Sequence, residues 1–163
     1  MSEFWYAQPA YENRRLEQID SKPIPNFVQN FKLGEKDFIN AGKASAQIKL
    51  DLKQLGVNPI YLRRVAIASY EAEINITAHS KGGRITSKYF PDRVHIVFDD
   101  DGPGMGDIEK SISPGYSTAD ELVREMGFGA GMGLPNIIKN CDILHIISEE
   151  GVKTFLEVII YFG

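Results

Sequence analysis

Apolar residues recur along the chain with two different periods, and these periods predict its secondary structure. Spacings of three and four residues predict an amphipathic helix over 37–56, ended by Gly56. A second and longer helix is predicted over 58–83, because Asn58 suits an N-cap and the pair Gly82–Gly83 suits a helix end. Apolar residues flank this second helix on both sides, so we expect it to be largely buried.

Alternating patterns predict five strands and leave room for one more helix. The strands are FVQNFKLG over 27–34, RITSKYF over 84–90, RVHIVFDD over 93–100, DILHIIS over 142–148 and KTFLEVIIYF over 153–162. A short helix is predicted over 132–140. Hairpins outnumber crossovers in this order, which predicts an α+β fold: a two-layer sandwich of a mixed, mostly antiparallel sheet with helices on one face.

Residues 1–26 are rich in aromatic, charged and proline residues and have no clear period. We interpret them as an N-terminal arm ahead of one domain over 27–163. The prolines of SKPIPNF mark the boundary, since they resist both helix and central strand. Several alternatives stay open for the arm. They are a partial helix around 11–19, packing on the domain, docking to a partner through Trp5 and its aromatic neighbours, and flexibility.

Composition and net charge limit the classes of protein to which the chain can belong. The 163 residues are 43% hydrophobic and carry a net charge of −4, which suits one globular domain and gives no electrostatic reason to expect direct nucleic-acid binding. No apolar run is long enough for a membrane span, and the first residues lack the order of a signal peptide. One cysteine permits neither an internal disulfide nor a cysteine metal cluster, so we expect a reducing, cytoplasmic setting.

Familiar catalytic and nucleotide-binding motifs do not occur in the sequence. Neither the Walker pattern nor the Rossmann glycine spacing is present, and there is no His-Glu-x-x-His or Gly-x-Ser-x-Gly. The three histidines fall on separate predicted elements, so the sequence gives no support for a metal site built from them. Any chemistry must therefore come from another set of residues.

The second predicted helix carries the first candidate set. Glu71 and Asn75 are four residues apart and share one helix face. A carboxylate and an amide on a mostly buried helix are costly unless a partner satisfies them. A surface stripe or an internal hydrogen-bonded pair would also explain them. The same stripe is extended by Arg64, Ala68, Ala78 and His79.

Two glycine-containing segments supply the other candidates. In FDDDGPGM three aspartates follow a buried strand, and Gly102 and Gly104 permit a tight turn; an exposed acidic turn is the alternative. In GFGAGMGL, residues 127–134, glycines alternate directly before an apolar helix. Such a helix entry presents free N–H groups and suits phosphate, whereas a flexible linker is the alternative.

In this order and spacing the three segments resemble the ATP-binding domain of the GHKL superfamily, which has the Bergerat fold. Gyrase, a heat-shock chaperone, bacterial histidine kinases and MutL share this domain. EAEIN is similar to the first box, DDGPG to the second, GFGAGMG to the third and GVKTFLEV to the closing strand. DGPGMGDIEKSISPGYSTA resembles the small bacterial serine/threonine kinases that act as anti-sigma factors and switch kinases.

The resemblance implies ATP and Mg²⁺ as cofactors and assigns roles to individual residues. Asp100 would accept a hydrogen bond from the adenine amino group, and Thr154 would hold the same edge or its bridging water. Asn75 would bind Mg²⁺, and Glu71 would be the catalytic base or would position water. The other implied nucleotide contacts are His79, Gly102, Gly104, Met105, Ser117, Thr118, Arg124, Gly127, Gly129, Ala130, Gly131, Met132, Gly133 and Leu134.

Some of these assignments carry alternatives. Residues 105–126 would form a lid over the nucleotide, in which Arg124 either neutralises the γ-phosphate or is simply solvated. Many members have a lysine near the end of the first box, where this chain has Thr77, Ala78 and His79. His79 therefore contacts phosphate or serves packing.

The function implied is that of an enzyme, an ATP-dependent serine/threonine protein kinase of anti-sigma or switch type. Its substrate would be a small antagonist protein in a bacterial partner-switching pathway, with a sigma factor or signalling complex as further partner and a homodimer allowed. An ATP-binding sequestration module and a stand-alone histidine-kinase-like domain are the alternatives. The last is disfavoured because about 26 residues, none of them histidine, precede the domain.

Overall fold

The computed structural model describes residues 2–14, 24–104 and 133–163 of the chain. Within these ranges the strands are β1 Ser2–Ala7, β2 Phe27–Gly34, β3 Gly82–Tyr89, β4 Arg93–Asp100, β5 Ile143–Glu149 and β6 Lys153–Tyr161. The helices are a 3₁₀ turn at Pro9–Tyr11, α1 Lys43–Gln54, α2 Pro59–His79 and α3 Gly133–Asn140. The five strands predicted from alternation and the three predicted helices are all present.

The described strands form one six-stranded sheet in the order β1-β5-β6-β4-β3-β2. Every neighbouring pair in it is antiparallel. The predicted α+β sandwich is confirmed. Because hairpins join β3 to β4 and β5 to β6, the chain needs no parallel crossover between these strands.

The core lies between the sheet and the helices. α2 is the central helix, and both α1 and α3 pack against it. Inward residues of four strands, such as Ile85, Phe98, Leu156 and Ile146, cluster with apolar residues of all three helices. Each large apolar side chain buried in this way stabilises the fold by about 1.5–3 kcal/mol. This packing fixes α2 against the sheet.

α1 begins later than its apolar pattern predicts. The helix was expected from residue 37 but starts at Lys43, after Gly42 with φ +93°. Asp37 accepts hydrogen bonds from the backbone N–H of Asn40 at 3.3 Å and from its side chain at 2.7 Å. This local turn competes with helix for the same backbone groups, so residues 37–42 form turns although their apolar spacing is helical.

α2 has the predicted beginning but a different end. The Asn58 side chain accepts the Ile60 N–H at 3.0 Å, as expected of an N-cap. The helix ends at His79 rather than at the predicted glycine pair, and the Ser80 hydroxyl donates to the Ile76 carbonyl at 2.9 Å. Gly82 and Gly83 instead begin β3. A side chain at Gly83 would collide with the backbone of β4, which explains the glycine there.

Part of the predicted N-terminal arm lies in the sheet. β1 pairs antiparallel with β5 at one edge, and the Trp5 ring stacks on His145 with centroids 3.7 Å apart. Tyr11 stacks on Tyr161 at 4.6 Å. Of the alternatives that the sequence left open, packing on the domain therefore applies to this stretch. Residues 15–23 lie outside the described ranges, and the domain boundary near residue 26 stays a prediction.

No helix within the three described ranges is long and apolar enough to cross a membrane.

Candidate functional site

A stripe of partly exposed polar residues runs along the C-terminal half of α2, between residues that are buried. Glu71, Asn75 and His79 are partly exposed, whereas the residues between them, 72–74 and 76–78, are all buried. At 1.5 Å per residue the stripe extends about 12 Å along the helix axis. It can therefore follow an elongated ligand with several separate polar groups. Ala68 and Ala78, which the sequence placed on the same stripe, are buried.

Glu71 lies at one end of the stripe. This end is farther than the His79 end from the turn that follows β4. Its Oε1 accepts a hydrogen bond of 3.2 Å from Nδ2 of Asn136 on α3. Oε2 accepts no hydrogen bond from the part of the chain that the structure describes. Sequence reasoning missed Asn136, because its only signal is one amide within a short apolar helix.

Asn75 meets the first residue of α3. A Cβ atom placed on Gly133 would lie 2.9 Å from Asn75 Nδ2 and 3.1 Å from Oδ1, so only glycine permits this approach. The structure thus brings Asn75 against Gly133, near the end of the glycine-rich segment. Leu134, the next residue, has a side chain 4% exposed in the core.

Asp100 closes β4 and is held by two backbone donors. Its Oδ1 accepts the Thr154 N–H at 2.7 Å and the Gly102 N–H at 3.0 Å. Burial raises the pKa of this carboxyl above its usual range, the two N–H donors oppose that effect, and Asp99 and Asp101 add to it. Among the described residues nothing donates to Oδ2. A carboxylate fixed in this way is a directional acceptor for a ligand N–H.

Thr154 supports Asp100 through its backbone. It lies on β6, its side chain is 5% exposed, and its hydroxyl is 3.1 Å from that of Ser148. The resemblance implies that Thr154 holds the same adenine edge as Asp100 or its bridging water. In the described structure its N–H holds Asp100 and its hydroxyl pairs with Ser148, which sequence reasoning did not identify.

The turn after β4 brings Asp100 close to the C-terminal end of α2. Gly102 and Gly104 have φ of +107° and +79°, and side chains there would collide with backbone carbonyls of the β5–β6 connection. The Lys81 N–H donates to the Gly102 carbonyl at 2.9 Å, two residues past the end of α2. Asp100, at the end of the interior strand β4, thus lies near the His79 end of the stripe.

Two further polar residues near the stripe have structural roles. Glu73 is fully buried and accepts the N–H groups of Ala44 at 3.3 Å and Ser45 at 3.0 Å, so it caps the beginning of α1. Arg64, which the sequence placed on the stripe, donates to buried Asp142 at 2.9 Å. Asp142 also accepts the Tyr161 N–H at 2.8 Å. Sequence reasoning missed both Glu73 and Asp142.

The remaining predicted contacts are outside the described ranges and stay predictions. They are Met105, Ser117, Thr118, Arg124, Gly127, Gly129, Ala130, Gly131 and Met132.

The donors present suit Mg²⁺ bound with a nucleotide. Within the described ranges no three His, Cys, Asp or Glu side chains cluster as a dedicated metal centre. Asn75 offers one partly exposed amide oxygen, one helical turn from the Glu71 carboxylate. Mg²⁺ keeps several waters and takes few protein oxygens when phosphates supply the rest. Asn75 therefore fits as the protein ligand of such an ion.

Comparison with known proteins gives one relative. The serine/threonine-protein kinase RsbT of Bacillus subtilis (strain 168) is 30% identical to this chain over 111 residues. The match covers 66% of the chain and 77% of RsbT. No family model matches the chain.

Proposed function

Because the chain belongs to the family of the serine/threonine-protein kinase RsbT, we propose that it is a protein serine/threonine kinase of the GHKL type that uses ATP and Mg²⁺. The observation that carries this proposal is the Asp100 carboxylate. Two backbone donors fix its Oδ1, and Oδ2 is left for an N–H of the ligand. The exocyclic amino group of adenine is such a donor, whereas guanine offers a carbonyl at that position.

The stripe on α2 supplies the groups that phosphoryl transfer needs. With adenine at Asp100, the phosphates would lie along α2 toward Glu71, and Asn75 would hold Mg²⁺ against them. Phosphoryl transfer depends mainly on alignment and on neutralisation of charge. Glu71 would orient a substrate hydroxyl and accept its proton. The bound ion supplies charge neutralisation at the phosphates.

We further propose that the hydroxyl belongs to a serine or threonine of a small antagonist protein in a partner-switching pathway. Family membership and the segment DGPGMGDIEKSISPGYSTA, which resembles switch kinases, support this assignment. A sigma factor or signalling complex would be the partner that the antagonist controls.

Calorimetry tests the nucleotide site. ATP with Mg²⁺ should bind the wild-type chain. Asp100→Asn should weaken binding about 10- to 100-fold, since a hydrogen bond to a charged group is worth about 1.5–3 kcal/mol. Asp99→Asn is the matched control, because Asp99 lies next to Asp100 and, within the described part of the chain, its carboxylate pairs with exposed Lys153 at 3.5 Å. Equal affinity in Asp100→Asn and the wild type would refute the adenine assignment.

Phosphate transfer tests the activity. Labelled ATP and candidate antagonist proteins should give acid-stable phosphate on serine or threonine, and Glu71→Gln should lower the rate at least 100-fold while ATP still binds. Acid-labile phosphate on a histidine would indicate a histidine kinase instead. Binding of ATP and partner without any transfer would indicate a sequestration module.

A further inference from the structure

We propose that Asn136 is a positioning residue for Glu71, one that fixes the orientation of this carboxylate for phosphoryl transfer. The inference rests on the proposed function, since it assumes that Glu71 is the base. It adds a residue that lies outside the three sequence boxes. Asn136 follows the glycine-rich segment and belongs to α3, whereas Glu71 belongs to α2.

The contact is directional. Nδ2 of Asn136 donates to Oε1 of Glu71 at 3.2 Å, and no second described residue donates to this carboxylate. A glutamate has three side-chain torsions, so an unsupported carboxylate at a partly exposed position samples several orientations. One donor on one oxygen removes much of this freedom. The other oxygen then faces a defined direction.

The packing of α3 fixes the position of the Asn136 amide. Leu134 and Ile137, on either side of Asn136 in the sequence, are 4% and 0% exposed and anchor α3 in the core. At its beginning, Gly133 lies against Asn75, so the α2–α3 contact is close at two successive points. A rigid helix rather than a loop therefore carries the donor, which is the arrangement that holds catalytic geometry best.

The chemistry of an amide suits this role. The Asn136 side chain carries no charge and does not take up the proton that Glu71 would accept from the substrate hydroxyl. Its N–H donates to the carboxylate and leaves the second carboxylate oxygen for the substrate hydroxyl. Asn136 thus acts through Glu71 and needs no contact with ATP or with the substrate.

The experiment compares variants of the whole chain in turnover of ATP with Mg²⁺ and the unphosphorylated antagonist protein that accepts the phosphate. Asn136→Ala should lower kcat at least tenfold and leave the KM for ATP within about twofold. Asn136→Asp, which sets a carboxylate against Glu71, should lower kcat further. Asn136→Gln, which keeps an amide donor, should recover part of the loss.

Asn140→Ala is the matched control. It removes an asparagine from the same helix whose amide donates to the Asn136 backbone carbonyl at 2.8 Å and not to Glu71. Thermal unfolding of each variant checks that the fold is kept. Wild-type kcat in Asn136→Ala, or an equal loss in Asn140→Ala, would overturn the positioning role.

Glu71→Gln separates failure of this inference from failure of the proposed function. Normal turnover in Glu71→Gln would show that the base assignment is wrong, and both proposals would then fall. Loss of turnover in Glu71→Gln together with normal kcat in Asn136→Ala would refute only the inference about Asn136.

Discussion

At the scale of single residues, the motif EAEIN contains two carboxylates with opposite surroundings. Glu71 and Glu73 are two positions apart on α2 and therefore point to different sides of the helix. Glu71 is partly exposed and contacts one amide, whereas Glu73 is fully buried and accepts two backbone N–H groups of α1. One sequence box thus combines a candidate base with a structural cap.

This difference in burial predicts that substitutions at Glu73 and at Glu71 change the free energy of unfolding by different amounts. Glu73→Ala should lower the free energy of unfolding by about 1–3 kcal/mol, because two buried N–H groups lose their acceptor. Glu71→Gln, at a partly exposed position, should change it by less than about 0.5 kcal/mol. Urea titration of both variants measures the two values. A loss of stability in Glu71→Gln as large as that in Glu73→Ala would contradict the assignment.

At the scale of secondary-structure elements, the contact of α2 with α3 depends on one glycine. Gly133→Ala places a Cβ atom against the Asn75 amide, which is the movable end of a side chain. We expect the fold to tolerate the change within about 1 kcal/mol, since alanine favours helix. The Asn75 oxygen, however, would be displaced.

The measurement is calorimetry with ATP in the presence of Mg²⁺ and again with a chelator. Gly133→Ala should weaken Mg²⁺-dependent binding about tenfold and leave the Mg²⁺-free affinity unchanged. Gly34→Ala is the control, because a Cβ there would make only an ordinary 3.7 Å contact with Asp37. Equal losses with and without Mg²⁺ would argue against Asn75 as the metal ligand.

The elements also show what the sequence could and could not predict. The spacing of apolar residues was enough to predict α2 and the strands from β2 to β6, because their buried faces require apolar residues at regular intervals. The late start of α1 depends on the Asp37–Asn40 turn, which apolar spacing does not report. β1 escaped prediction because an edge strand in an aromatic segment needs no clean alternation. Asn136 escaped because a single tertiary pair leaves no periodic signal.

At the scale of the whole molecule, buried His95 makes stability depend on pH. Its Nε2 accepts a hydrogen bond of 2.9 Å from Nε of Arg93, and the side chain is on the sheet face away from the helices. Burial, helped by the charges of Arg93 and Lys88 and opposed by that of Asp92, lowers the pKa of His95 to about 3. The folded chain therefore keeps this imidazole neutral.

The sign of the effect follows from linkage. The pKa of this histidine is about 6.5 in the unfolded chain and about 3 in the folded chain, so between these values only the unfolded chain binds the proton. The contribution of the neutral His95 side chain to the free energy of unfolding is complete above pH 6.5. It is lost as the pH falls, by about 1.4 kcal/mol per pH unit at most. Denaturant titrations at pH 7, 6 and 5 should show this loss, and His95→Gln should have a flatter profile. Identical slopes in the variant and the wild type would exclude His95 as the cause.

The position of β1 has a consequence for how the chain is made. Residues 2–7 leave the ribosome before their partners in the sheet, residues 143–148, which emerge some 140 residues later. Closing so long a loop is entropically costly and slow compared with joining the β3–β4 hairpin. The edge beside β5 is therefore completed only after translation has supplied nearly all of the residues described here. Until then the β1 segment lacks the β5 strand with which it pairs in the folded chain.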